Sequence, residues 1–302
     1  MGSHWTAELE LKGAGGEPVD LWRTLTSHGV AALPPHVLDE EDRRFEATVA
    51  LPRGRARTIR IGAGRPGHAH VESEGRVSAA DGAVLAETAA HMLRLDADLS
   101  GFYEVAAQDP DLAWATEGAG RMVRSPTVFE DVVKTICTTN CTWSATVRMV
   151  SALVAKLGVE ASDGRRAFPT PAAMAAASEA FYRDVARTGY RGAYLRSLAR
   201  EVARGSLDLE ALDDPVLPDD EVAATLLALP GCGPYATAHM MMLLGRYSQL
   251  ILDSWTRPKY ARLNGRKASD KTIERRFRRY GDYAGLAFWL YLTRDWVEEA
   301  AG

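Results

Sequence analysis

The sequence predicts a mainly helical protein carrying a small α+β unit at its N-terminus. Three observations carry this. Up to about residue 75, alternating apolar and polar residues recur in short runs between Gly- and Pro-containing turns, the mark of strands with one buried face. From Asp81 onward the apolar spacing turns helical and stays so, broken only by short Gly/Pro stops. With 302 residues and 46% hydrophobic content, the chain is long enough for two or three packed units. The expected division is an antiparallel-sheet domain over 1–80 and a helical region over 81–302, with a helix–turn–helix hairpin at 219–245.

Trp5, Ala7, Leu9 and Leu11 alternate with Glu8, Glu10 and Lys12, so the first strand has one apolar face. Val19 to Leu33 reads as a short amphipathic helix with Asp20 near its start. Phe45–Leu51, Arg57–Gly62 and Gly67–Glu72 read as three further strands. Asp81–Leu95 begins the helices, and Pro110–Trp114 is a short helix or turn. Thr127 and Glu130 suit the start of a long helical segment stopped by Gly158. An alanine-rich helix follows Phe168-Pro169-Thr170-Pro171, and another spans Ala193–Arg204. Tyr283–Glu299 closes the chain.

Pro218 to Arg262 is the most informative stretch. Asp219, Asp220 and Glu221 suit the positive end of a helix dipole. Leu229-Pro230-Gly231-Cys232-Gly233 then makes a tight turn in which two glycines permit angles closed to other residues. Pro234 is well placed to open the next helix, whose unpaired amides form a ready phosphate site. Asp253 ends an apolar run, Leu250-Ile251-Leu252, and there it suits either capping the next helix or holding a carboxylate against a low-dielectric wall. Beyond it, Arg257, Lys259 and Arg262 open a basic segment that runs to Arg279, a localised cationic footprint on a chain of net charge −4.

Several classes are excluded. No run of eighteen apolar residues exists, so no membrane span is expected, and no signal-peptide pattern is evident. The three cysteines are too few for a disulfide framework. Cys137 and Cys141 lie one helical turn apart, but a structural zinc site takes four ligands, and no closely spaced four-cysteine set exists for an iron–sulfur cluster. The alanine- and arginine-rich composition points to a bacterial source, with a cytoplasmic, nucleoid-associated location.

Together these motifs resemble the helix-hairpin-helix DNA glycosylase superfamily, in the branch that includes alkyl-base and 8-oxoguanine glycosylases. The resemblance rests on the Leu229–Gly233 hairpin, Asp253 at the family's distance beyond it, Phe168-Pro169-Thr170-Pro171, Gly189-Tyr190-Arg191, Ile136–Asn140 and the closing segment Asp282–Leu292. It implies two helical subdomains beside the sheet domain, and double-stranded DNA with a damaged base as partner of a monomer. Asp253 would be the catalytic carboxylate. The family's backbone-cutting members place a lysine where this chain has Tyr235, which implies hydrolysis without lyase chemistry. Tyr235 and His239, one turn apart, would wall the base pocket together with Trp255, Phe288 and Leu292. Phe288 stands where the 8-oxoguanine branch has a glutamine, so an alkylated purine is favoured. For Phe288, Trp289 and Leu292 the alternative is ordinary core.

The resemblance further implies that Asn140 enters the vacated stack or touches the opposite strand, with Trp143 as a second wedge. The amides at Gly231 and Gly233 would hold a phosphate, joined by Arg257, Lys259 and Arg262. No cofactor is implied beyond a monovalent cation, Na+ or K+, at the carbonyls of Leu227, Leu229 and Cys232. Two other readings stand beside this one: a DNA-damage binder without catalysis, and an 8-oxoguanine-type glycosylase.

Overall fold

A computed structural model describes residues 4–296. The N-terminal part is a five-stranded antiparallel sheet in the order β1-β5-β4-β3-β2: β1 His4–Glu10, β2 His36–Asp39, β3 Arg44–Leu51, β4 Arg55–Ala63 and β5 His68–Glu74. β1 presents Trp5, Ala7 and Leu9 inward, the face its alternation predicts. Phe45, Ile59, Ile61 and Val71 complete that face, each side chain contributing roughly 1.5–3 kcal/mol on burial. The stretch expected as one helix over 19–33 is shorter. α1 (Leu21–Leu25), capped by Asp20, stops at Thr26, and a 3₁₀ turn follows over Gly29–Ala32. Thr24 and Thr26 turn their hydroxyls back onto the carbonyls of Asp20 and Trp22, which ends the helix. β2, too short to show alternation, escapes the sequence reading.

α2 (Ala79–Met92) covers the sheet, and Leu85, Ala89 and Met92 belong to the sheet's core. Gly82 allows that seat, because a Cβ there would lie 2.4 Å from Trp5 Nε1. By packing, then, the N-terminal unit extends past residue 80 to take in this helix. α3 (Ser100–Ala106) and a 3₁₀ turn over Ala113–Glu117 lead into the helical part. α4 (Val128–Thr138) and α5 (Trp143–Leu157) replace the single long helix expected there. Thr138 and Thr139 donate their hydroxyls to the carbonyls of Thr135 and Ile136. Asn140 adopts a left-handed φ of 47°, and Thr142 caps α5. Cys141 sits in this break, and its thiol meets the Cys137 carbonyl at 3.1 Å.

The remaining helices are α6 (Pro171–Ala176), α7 (Arg191–Ala203), α8 (Asp219–Ala228), α9 (Pro234–Leu243), α10 (Thr256–Leu263), α11 (Asp270–Phe277) and α12 (Ala284–Thr293). The end of the expected closing helix, 297–299, lies outside the described residues. No helix among the described residues is long and apolar enough to cross a membrane. One large core joins α3 to α12.

The two parts meet through buried polar contacts. His28 Nε2 donates to the Val123 carbonyl at 2.7 Å, and Trp289 Nε1 donates to the Ser27 carbonyl at 2.8 Å. Lys134 pairs with Glu130 at 2.6 Å beside His36, all three buried. Burial lowers His28 to about 4, and the Lys134 charge adds to the shift. The folded chain therefore keeps this ring neutral while the unfolded chain protonates it below about pH 6.5. The stability it leaves intact above pH 6.5 is lost as pH falls toward 4. Between pH 7.5 and 5, wild type is expected to lose roughly 2 kcal/mol relative to His28→Phe. Denaturant melts of both proteins at the two pH values check this, and an unchanged difference would overturn it.

Candidate active site

α8 ends at Leu229, and Cys232 N closes the turn onto the Leu229 carbonyl at 3.0 Å. Gly231 carries φ of 92°, and a Cβ there would meet Tyr194 at 3.1 Å and Ile136 at 3.2 Å. Glycine is required at 231 on both counts. Gly233 is different. Its φ of −82° is open to any residue, and a Cβ would meet nothing within 4 Å. What its place demands is access, since it is exposed at the N-terminus of α9.

The hairpin forms one wall of a groove of about 880 Å³. Thr138–Cys141 from the α4–α5 break, Tyr190 and Tyr194 form another, and Asp253 and Arg257 face them. Asp253 does two things at once. Its Oδ1 accepts from Trp255 N at 2.8 Å and Thr256 N at 2.7 Å, and its own N–H meets Thr256 Oγ1 at 2.8 Å. That is a helix cap. Oδ2 accepts no hydrogen bond among the described residues, and Asp253 lines the groove. Ile251, buried, and Leu250 and Leu252, half-buried, back it with the apolar wall the sequence implies.

Tyr235 also lines the groove, its hydroxyl 3.4 Å from Thr138 Oγ1. Burial raises its phenol, and the nearby Asp253 charge acts in the same direction. Its ring stacks on His239, with centroids 6.2 Å apart and 25° between planes. His239 is buried, which lowers it to about 3, and its other neighbour is His28 at 5.6 Å. Trp255, partly exposed, packs on Trp289 and Trp296 at 5.6 Å each.

Phe288 and Leu292 do not reach the groove. Both are fully buried, and Phe288 packs 5.2 Å from Phe277 and 6.2 Å from Tyr260. The reason is that α12 is apolar all round, so periodicity cannot say which face meets the groove. Their placement is core, and Phe288 therefore carries no argument about the edge of the base.

Asn140 is exposed in the groove, with Nδ2 3.4 Å from the Tyr190 hydroxyl. Trp143 stands apart from that groove: 49% exposed, it edges against Gly29, where a Cβ would lie 3.9 Å from the indole. Arg257 is tied to Asp270 at 2.8 and 2.9 Å, although it still lines the groove. Lys259 is not presented to solvent. Its side chain is 12% exposed and pairs with Asp295 at 2.5 Å, so it neutralises a carboxylate inside the protein. Arg262 is exposed and forms no ion pair among the described residues.

The hairpin carbonyls fit a monovalent cation. The Leu227 and Cys232 carbonyls accept no backbone N–H, and that of Leu229 accepts one and keeps a lone pair. No group of three or more metal-binding side chains occurs among the described residues. Sequence reasoning left Tyr190 without a role, although its motif was noticed. It also missed His28, which no local signal connects to a site 200 residues on.

Residues 133–282 match the family model for the HhH-GPD superfamily base excision DNA repair protein. The chain carries a DNA glycosylase domain of the HhH-GPD superfamily. That domain contains every groove residue named above, from Thr138 to Arg257, whereas His28 and Trp289 lie outside it. Three solved structures share the whole fold. The 3-methyladenine DNA glycosylase of Archaeoglobus fulgidus aligns with a TM-score of 0.73 at 19% identity, over 97% of this chain and 99% of that one. MBOgg1 with a low affinity DNA ligand gives 0.72 at 18%, over 97% and 96%. The Clostridium acetobutylicum 8-oxoguanine glycosylase/lyase bound to double-stranded DNA gives 0.70 at 18%, over 93% of each chain. At these identities the likeness extends to the HhH-GPD fold alone, including its N-terminal sheet. No curated protein sequence matches the chain.

Proposed function

We propose that this protein is a monofunctional DNA glycosylase that extrudes an alkylated or otherwise modified base, a purine in the first instance, from double-stranded DNA and removes it by hydrolysis. The observation that carries the reading is the divided carboxylate of Asp253: one oxygen fixed by two backbone amides, the other bare toward the groove.

The mechanism follows from that geometry. A damaged base must leave the stack to be reached. The exposed amides at the start of α9, next to Gly231 and Gly233, suit the flanking phosphate, and Asn140 beside Tyr190 suits the space the base vacates. As the N-glycosidic bond breaks, its electron pair leaves with the base and positive charge develops at the sugar. Asp253 stabilises that charge, and its fixed oxygen means no reorganisation is needed at the moment of reaction. Water then forms the new bond at the anomeric carbon and loses a proton, leaving an abasic site. With a phenol at Tyr235, no amine stands there to form a Schiff base. The carbonyls of Leu227, Leu229 and Cys232 would hold a monovalent cation that steadies the hairpin. The protein would work as a monomer on the bacterial chromosome.

Duplexes carrying single lesions, treated with the protein and then with hot alkali, test the reading. Wild type is expected to convert one class of modified purine to alkali-labile sites and to leave the strand intact without alkali. Lesion binding with no base release from any duplex would favour a damage binder, in which Asp253 is only a cap.

A further inference from the structure

Two buried histidines meet where the Ser27–Gly29 loop of the sheet domain docks against α9. The rings of His28 and His239 lie 5.6 Å apart at 79°, and each residue is 6% exposed. His28 Nε2 sits 2.7 Å from the Val123 carbonyl oxygen. A carbonyl only accepts, so Nε2 carries the hydrogen, and in the neutral ring Nδ1 holds a bare lone pair. No donor among the described residues reaches that Nδ1, and His239 Nε2 is equally buried and unpartnered. Folded proteins pair nearly all such atoms. Two unmet ring nitrogens at one junction therefore point to a ligand that supplies the partners.

The surroundings say which ligand. Tyr235 stacks on His239 and also lines the groove beside Asp253, so it stands between the histidine pair and the sugar site. Trp143 edges the same loop at Gly29, and Trp289 is held by its Ser27 carbonyl. The result is an aromatic enclosure with a polar, uncharged floor, adjoining the carboxylate.

We infer that His28 and His239, one from each domain, form the base-reading floor of the active site and select a purine bearing an exocyclic amino group. His28 Nδ1 accepts from that amino group. His239 Nε2 meets the adjacent ring edge. Aromatic walls favour an electron-poor alkylated ring, and neutral imidazoles carry no charge to repel it. The inference rests on the glycosylase reading above.

The test uses duplexes with a single 7-methylguanine or 7-methylhypoxanthine, which differ only in the exocyclic amino group. Wild type is expected to release the amino-bearing base at least about tenfold faster in kcat/KM. His28→Phe and His239→Phe are expected to fold and to bring the two rates together. Equal rates in wild type overturn the inference without any variant, and so does full discrimination in a folded His28→Phe. If neither duplex loses its base, the preference is read instead from competition binding. A wild-type preference for 7-methylguanine that His28→Phe abolishes supports the floor, and equal binding overturns it.

Discussion

Asp253→Asn is expected to lower base release by about a hundred- to a thousandfold while leaving fold and duplex binding intact. The structure makes this substitution unusually clean. The cap on α10 uses Oδ1, which accepts from Trp255 and Thr256 and is retained as the amide oxygen of asparagine. Only the charge and the bare oxygen toward the groove are lost. Asp253→Ala serves as the contrast: it removes the cap as well, at about 1 kcal/mol of stability. Single-turnover release and thermal melting of both variants separate the roles. If Asn retains wild-type release, Asp253 is a cap and the site of chemistry lies elsewhere.

Tyr235→Lys is expected to turn a hydrolase into an enzyme that also opens the strand. The phenol lines the groove with Asp253, and burial around it would hold part of an amine in the neutral, nucleophilic form. Attack at the anomeric carbon would displace the base and leave an iminium that borohydride reduces to a stable protein–DNA adduct. The variant should give that adduct, and strand breaks without alkali, on the lesion that wild type releases. Wild type should give neither. An adduct from wild type would show that another amine reaches the sugar and would end the monofunctional reading.

Much of the site was legible because it is local. The hairpin, its glycine at 231, the proline that opens α9 and the aspartate that opens α10 are all set by backbone needs within a few residues. Such needs leave marks in sequence. The break after Thr138 was harder to see, because apolar spacing runs on through it while threonine hydroxyls and Asn140 turn the chain.

What failed, failed for one reason. Apolar periodicity says that a helix is buried but not by what. α12 is apolar on every side, so Phe288 read equally well as pocket wall or core, and packing against Tyr260 and Phe277 chose core. Lys259 read as a free cation until folding brought Asp295 to it.

The sequence by itself determined the two-part architecture, the hairpin, the placement of Asp253 after an apolar wall and the missing lysine at 235. Each is written in residue type and spacing over a single turn or helix. Only the tertiary structure decided which aromatic residues face the groove, which arginines and lysines are already paired, and that His28 meets His239. Those outcomes depend on contacts between segments up to about 200 residues apart, and no local pattern encodes which distant side chain will arrive.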